Sequence, residues 1–267
     1  MITLPQIMVA PNGARRGKSD HPGLPITHDE IVATAVACWA AGAGAIHVHV
    51  RDAAGNHVLD AERYRRVTAA IHEQAPGMIV QVTTEAMGRY SPAQQIALVR
   101  QVRPEAVSIA LREICPPGTD PTAALALFEW CRGEAIAVQH ILYSPDDVLR
   151  LGELLDLSAS SDRPGVLFVL GQYVDAIDAR PQDIEDWLKV SGQVLMRPDW
   201  MVCAFGTQEL ACLEEALGLG GKIRVGFENN IAEPDGRLVQ SNASQVARVK
   251  AMADQIGGRP LAAGGSL

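Results

Sequence analysis

Two histidines, His47 and His49, stand two residues apart inside the apolar run Ala45-Ile-His-Val-His-Val-Arg-Asp52. Side chains alternate faces along a strand, so both imidazoles point one way while Ile46, Val48 and Val50 point the other. Neutral imidazole is a good zinc ligand, and such a pair becomes a catalytic centre when a carboxylate joins it and one coordination position stays open. A second stretch, Gly220-Gly-Lys-Ile-Arg-Val-Gly-Phe-Glu-Asn-Asn230, offers that carboxylate: Lys222, Arg224, Gly226 and Glu228 share one parity. Two imidazoles and Glu228 would compose a three-ligand Lewis-acid zinc site with a vacancy. Arg224, if it points inward, needs an anion beside it, because a buried unpaired charge is costly, and its guanidinium can clamp a carboxylate with two parallel hydrogen bonds.

The elements that would position these residues alternate along the whole chain. Apolar runs predict strands at 6–10, 45–50, 78–84, 106–111, 135–143, 166–170, 200–205 and 222–227. Between and after them, helices are predicted at 27–41, 60–74, 91–102, 122–132, 144–157, 181–190, 207–217 and 242–256. Thr27 with Glu30 marks the first helix start as a capping box, and Ser91-Pro92 opens another. Eight strand-then-helix units imply parallel pairing and close most naturally into a single (β/α)8 barrel domain spanning 1–267, a fold that commonly takes about 250 residues. An open doubly wound sheet would carry a Gly-rich phosphate turn after its first strand, and Pro11-Asn12-Gly13 is not that fingerprint.

Barrel closure sets strands two and eight on either side of strand one, so Glu228 can reach a metal held by His47 and His49. The site then lies where the strands end. Residues there are Asn12; Arg51 and Asp52; Thr83, Thr84 and Glu85; Ser108 and Arg112; His140 and Tyr143; Gln172 and Tyr173; and Asn229 and Asn230. Asn12, Thr83, Thr84 and Ser108 are expected to line the substrate.

The chain is 48% hydrophobic but only 4% aromatic, so Ala, Val, Ile and Leu must pack its core. A net charge of -8 argues against nucleic acid and anionic membrane surfaces, which demand a basic stripe. The cluster Arg15, Arg16 and Lys18 could meet an anionic ligand. Five scattered cysteines without a C-x-x-C pair read as free thiols in a reducing compartment. With no leader pattern at the start and no apolar run long enough for a bilayer, the expected location is the cytoplasm.

The His47-Val-His49-Val-Arg51-Asp52 and Gly221-Lys-Ile-Arg224-Val-Gly-Phe-Glu228-Asn-Asn stretches, with Ala10-Pro-Asn-Gly-Ala14 and Gln81-Val-Thr83-Thr84, resemble the β-keto acid cleavage enzyme family. The resemblance extends over Trp200 to Gly206 and the Ser241-Asn242 helix start. It implies a zinc-dependent (β/α)8 barrel, usually a homotetramer, that exchanges the acyl part of a β-keto acid with acetyl-CoA to give acetoacetate and a new CoA thioester. By position it implies His47, His49 and Glu228 as zinc ligands, Arg224 as the active-site arginine and Thr83 as a substrate contact. Arg15, Arg16 and Lys18 would then be candidates for the CoA phosphates.

Two departures stand out against that pattern. The family's strand eight reads Glu-Asp-Asn, its Asp working with the arginine in proton transfer, whereas this chain has Asn229, which takes no proton at neutral pH. Fifth-strand glutamates are replaced by Val138-Gln-His-Ile-Leu-Tyr143, leaving His140, Tyr143 or a hydroxide on the metal for the base. Two other readings of the barrel stay open: a metal-dependent hydrolase or lyase that does not use CoA, and a metal-bearing binding protein.

Overall fold

The structure, a computed structural model, describes residues 3–157, 163–171 and 178–257. The first half runs β1 (Ile7–Val9), α1 (His28–Ala40), β2 (Ala45–Val48), α2 (Ala61–Gln74), β3 (Ile79–Thr83), α3 (Pro92–Val102) and β4 (Ala106–Ala110). A one-turn α4 (Leu111–Ile114) then precedes α5 (Thr122–Gly133), β5 (Ala137–Leu142), α6 (Pro145–Leu157) and β6 (Gly165–Leu170). The chain continues through α7 (Asp183–Val194), β7 (Asp199–Ala204), α8 (Glu209–Gly218), β8 (Lys222–Val225) and α9 (Asn242–Gly257). The eight strands are parallel and close in sequence order, β8 pairing with β1, which makes the fold a (β/α)8 barrel. No helix among the described residues is long and apolar enough to cross a membrane.

Local sequence explains the punctuation. Thr27 and Glu30 form the anticipated capping box at α1, and Ser91 with Gln94 forms another at α3. Asp60 caps α2 by accepting from the backbone N–H groups of Glu62 and Arg63. The one element that sequence patterning did not separate is α4 (Leu111–Ile114): only Leu111 was read, as the end of the strand 106–111, whereas the chain turns helical at once after Ala110.

Strand alternation divides the core in two. Outward residues such as Ile7, Val9, Ile46, Val48, Val80 and Val82 pack against the helices in the larger cluster. Inward residues fill the barrel: Met8, Ala45, Ala106, Ala137, Leu167, Met201 and Cys203. Small inward side chains leave room for a polar chain across the interior, in which Gln81 accepts from His47, donates to Gln139 Oε1 at 3.0 Å, and Gln139 approaches Met201 Sδ at 3.5 Å. Register also sets the site: Met8 of β1 lies opposite Ala45 of β2 on one side and Arg224 of β8 on the other. His47 is thus one inward position above Ala45, and Glu228 follows β8 on the facing flank.

Candidate active site

The C-terminal ends of the strands surround an open cavity with an enclosed volume of about 130 Å³. His47, Arg224 and Glu228 line it together with Asn12, Thr83, Glu85 and Ser108. Two loops bring Glu228 in. Gly226 adopts φ 139°, and a Cβ there would strike the Ala10 carbonyl oxygen, so only glycine makes this turn after β8. Glu228 N–H then donates to Ala10 O at 3.0 Å, fixing the turn to the end of β1. Opposite it, Gly13 (φ 60°) leaves the space that the Glu228 side chain fills, a Cβ there falling 2.7 Å from Glu228 Cγ.

Three atoms able to ligate a metal converge. His47 Nε2 and His49 Nε2 are 3.0 Å apart, and Glu228 Oε2 is 3.6 Å from the first and 3.3 Å from the second. Metal–ligand bonds of about 2.0–2.1 Å in tetrahedral array place ligand atoms roughly 3.3 Å apart, so this triangle has the size of one face of a zinc coordination sphere. Burial depresses His47 to about 4 and His49 to about 3, leaving both rings neutral near pH 7 with lone pairs to donate. Burial alone would raise Glu228, but the Arg224 guanidinium holds its carboxyl well below the ordinary value, as an anion. These donors fit a divalent cation, and His47, His49 and Glu228 are a metal-competent group.

The surroundings orient that triad. His47 Nδ1 donates to Gln81 Oε1 at 2.8 Å, which directs the lone pair of Nε2 inward. The backbone carbonyl of His49 accepts from Asn12 Nδ2 at 2.9 Å, while the ring of His57 lies 4.9 Å from that of His49. Glu228 divides its carboxylate: Oε1 pairs with Arg224 Nη2 at 3.1 Å and Oε2 faces the imidazoles. Arg224 Nη2 also reaches Cys203 Sγ at 3.4 Å, so the buried guanidinium is held from below and beside. Arg51 ties the β1 loop down by donating to the carbonyls of Asn12, Gly13 and Arg16.

A second carboxylate lines the cavity. Glu85, just beyond β3, sits 3.8 Å from His49 Nδ1 and 3.6 Å from Arg15. Burial, with the charge of Glu228 adding to it, raises Glu85 to about 7. On the opposite rim Arg112 stacks its guanidinium 3.5 Å from the Tyr143 ring centre. Glu85, Arg112 and Tyr143 were legible as strand-end residues, but Gln81 and His57 were not, because mid-strand glutamine and a loop histidine carry no signal of their own.

Not every anticipated residue arrives. His140 pairs in register with Ile109 on the outward face of β5, its ring edge-on to Phe128 of α5 at 4.7 Å, whereas Gln139 and Ile141 point inward. Alternation therefore removes His140 from the cavity and corrects its reading as a base. Thr84 likewise faces away and donates to Ser108 O at 3.0 Å, unlike Thr83, which lines the cavity. The Asn229 side chain is buried beside the Cys203 thiol and does not line the cavity. Of the basic cluster, Lys18 pairs with Glu30 at 2.7 Å and Arg16 donates to the carbonyls of Phe227 and Asn229, so it is committed to holding loops. Gln172 and Tyr173 lie outside the described residues.

Known proteins share this architecture and sequence. The chain is 30% identical over 96% of its length, and 90% of the relative's, to a 3-oxoadipate:acetyl-CoA acetyltransferase of Cupriavidus necator. It is 27% identical to a 3-keto-5-aminohexanoate cleavage enzyme of Fusobacterium nucleatum, over 92% of this chain and 89% of that one. The apo structure of ObcA superposes with a TM-score of 0.71 at 16% identity, covering 88% of this chain but 63% of ObcA, a likeness of fold. The 3-hexulose-6-phosphate synthase of Salmonella typhimurium shares the fold at a TM-score of 0.58 and 13% identity, over 94% of this chain and all of that one. Residues 6–264 match the model of one family, and the chain belongs to it: the beta-keto acid cleavage enzymes.

Proposed function

We propose that this protein is a zinc-dependent enzyme that converts a β-keto acid and acetyl-CoA into acetoacetate and a new acyl-CoA. The observation that carries the reading is the convergence of His47 Nε2, His49 Nε2 and Glu228 Oε2 beside a buried Arg224 at the wall of the cavity. His47, His49 and Glu228 would hold the ion, which when bound supplies Lewis acidity that makes the methylene between ketone and carboxylate easier to deprotonate.

The protein's own groups do the rest. Arg224 receives the substrate carboxylate, and its pairing with Glu228 fixes the guanidinium plane so that the clamp is formed before substrate enters. Ser108 Oγ, buried with no hydrogen-bond partner among the described residues, donates to a substrate oxygen, as does Thr83 Oγ1 across the adjacent strand. Glu85 accepts the proton lost from the α-carbon on a carboxylate oxygen. The resulting carbanion attacks the thioester carbonyl of acetyl-CoA and expels the CoA thiolate; the thiolate then attacks the substrate's own keto carbon, the bond from that carbon to the α-carbon breaks to give the new acyl-CoA, and the acetoacetate carbanion takes back the proton held by Glu85. Atoms balance without an oxidant or reductant. We further propose that the barrel works as one domain in a homo-oligomer, following the family resemblance.

A panel of β-keto acids incubated with and without acetyl-CoA, followed by detection of new thioesters, tests the reading. New acyl-CoA formed only with acetyl-CoA supports it; consumption of the keto acid without the thioester replaces it with a hydrolase or lyase on the same barrel.

A further inference from the structure

The cavity has two unlike halves. Polar groups cluster on the walls of β8, β1, β2 and β3, where Glu228, Arg224, Asn12, His47 and Glu85 stand. From β4 to β7, Ser108 and Tyr143 aside, the lining is apolar, through Ala110, Ile141, Val169 and Phe205. At the far rim of that apolar half is a cation, Arg112, two residues beyond β4. In a closed barrel of eight strands β4 is diametrically opposite β8, so Arg112 faces Glu228 and Arg224 across the mouth.

The other arginines of the cavity are already engaged: Arg224 with Glu228, Arg15 with Glu85, and Arg16 with the Phe227 and Asn229 carbonyls. Arg112 has no carboxylate within ion-pair distance among the described residues and is held over the Tyr143 ring, a contact that fixes its plane but does not neutralise its charge. Its neighbour Glu113 is turned away, accepting from Ala86 N at 2.9 Å and Gln95 Nε2 at 3.2 Å. An oriented guanidinium at the end of an apolar wall matches a ligand whose apolar stem ends in an anion.

We infer that the preferred substrates are β-keto dicarboxylic acids, the keto-acid end at His47, His49 and Arg224, the methylene stem along Ile141 and Val169, and the second carboxylate on Arg112. The inference rests on the β-keto acid reading above and goes beyond it by naming the tail.

The test compares 3-oxoadipate with 3-oxohexanoate, which share a chain length and differ in the terminal carboxylate, in turnover with acetyl-CoA and in calorimetric binding to the metal-loaded protein. A charged-group contact of this kind predicts a roughly 10–100-fold preference for the dicarboxylate in kcat/KM and in affinity. Arg112→Gln collapses the ratio toward one through KM, and Arg112→Lys restores part of it. Equal use of the two acids by the wild type overturns the inference, as does a variant in which the ratio persists while the KM for acetyl-CoA rises, since Arg112 would then serve a CoA phosphate. Arg112-dependent tight binding of the dicarboxylate without any acyl-CoA product would uphold the inference and overturn the acyl-transfer reading.

Discussion

Gln81 Oε1 accepts a hydrogen bond from His47 Nδ1 at 2.8 Å, and this contact decides which nitrogen of His47 faces Glu228. Gln81 is itself oriented, because its amide nitrogen donates to Gln139. Gln81→Leu removes the acceptor at similar volume, frees the tautomer and leaves Nδ1–H unsatisfied. Metal affinity falls by about 10–100-fold, read by competition with a chromophoric chelator, while the circular dichroism spectrum is retained.

Glu85→Gln keeps the shape and hydrogen-bonding reach of the side chain but removes its basicity. With Glu85 accepting the substrate proton, kcat falls about 10²–10⁴-fold while bound metal stays at the wild-type level. The carboxylate is the active form and its ionisation is raised to about 7 by burial, so wild-type kcat/KM climbs as pH rises through about 7. The variant loses that limb of the profile.

His140→Leu separates the core from the chemistry. The ring packs between β5 and Phe128, outside the cavity, so the substitution lowers stability by about 1 kcal/mol and leaves kcat and the KM values where they were. A loss of kcat with unchanged melting temperature would return His140 to the site.

Glu209, at the start of α8, offers a test of linkage remote from the cavity. Burial raises its carboxyl from 4.5 to about 8. Below pH 4.5 the group is neutral whether the chain is folded or not; above it the unfolded chain ionises freely, and the stabilisation is lost progressively as pH rises through about 8. Glu209→Gln removes this dependence, so the variant gains stability relative to the wild type across that window in denaturant titrations. A constant difference from pH 5 to pH 8 would contradict the burial.

The barrel was readable because strands and helices alternate under clear turn signals, and the His47 and His49 pair because it obeys strand parity; Glu228 reaches the site instead through the turn at Gly226 after β8. The same parity rule excludes His140 and Thr84, which share strands with inward neighbours and were grouped with them as strand-end residues. Gln81, named only as part of a resembling stretch, was given no role because that role depends on a neighbouring strand, and α4 went unread because a single turn has no period to detect. Commitments such as that of Arg16 to the carbonyls after β8 join positions 211 residues apart, which no local pattern reports.

Elemental analysis of the purified protein by inductively coupled plasma mass spectrometry, for the wild type, His47→Ala, Glu228→Gln and Arg224→Gln, addresses the ion that everything else depends on. About one zinc per chain in the wild type and in Arg224→Gln, with little in the other two, is expected. Metal-free wild-type protein that still forms acyl-CoA, or equal zinc in all four proteins, would contradict it.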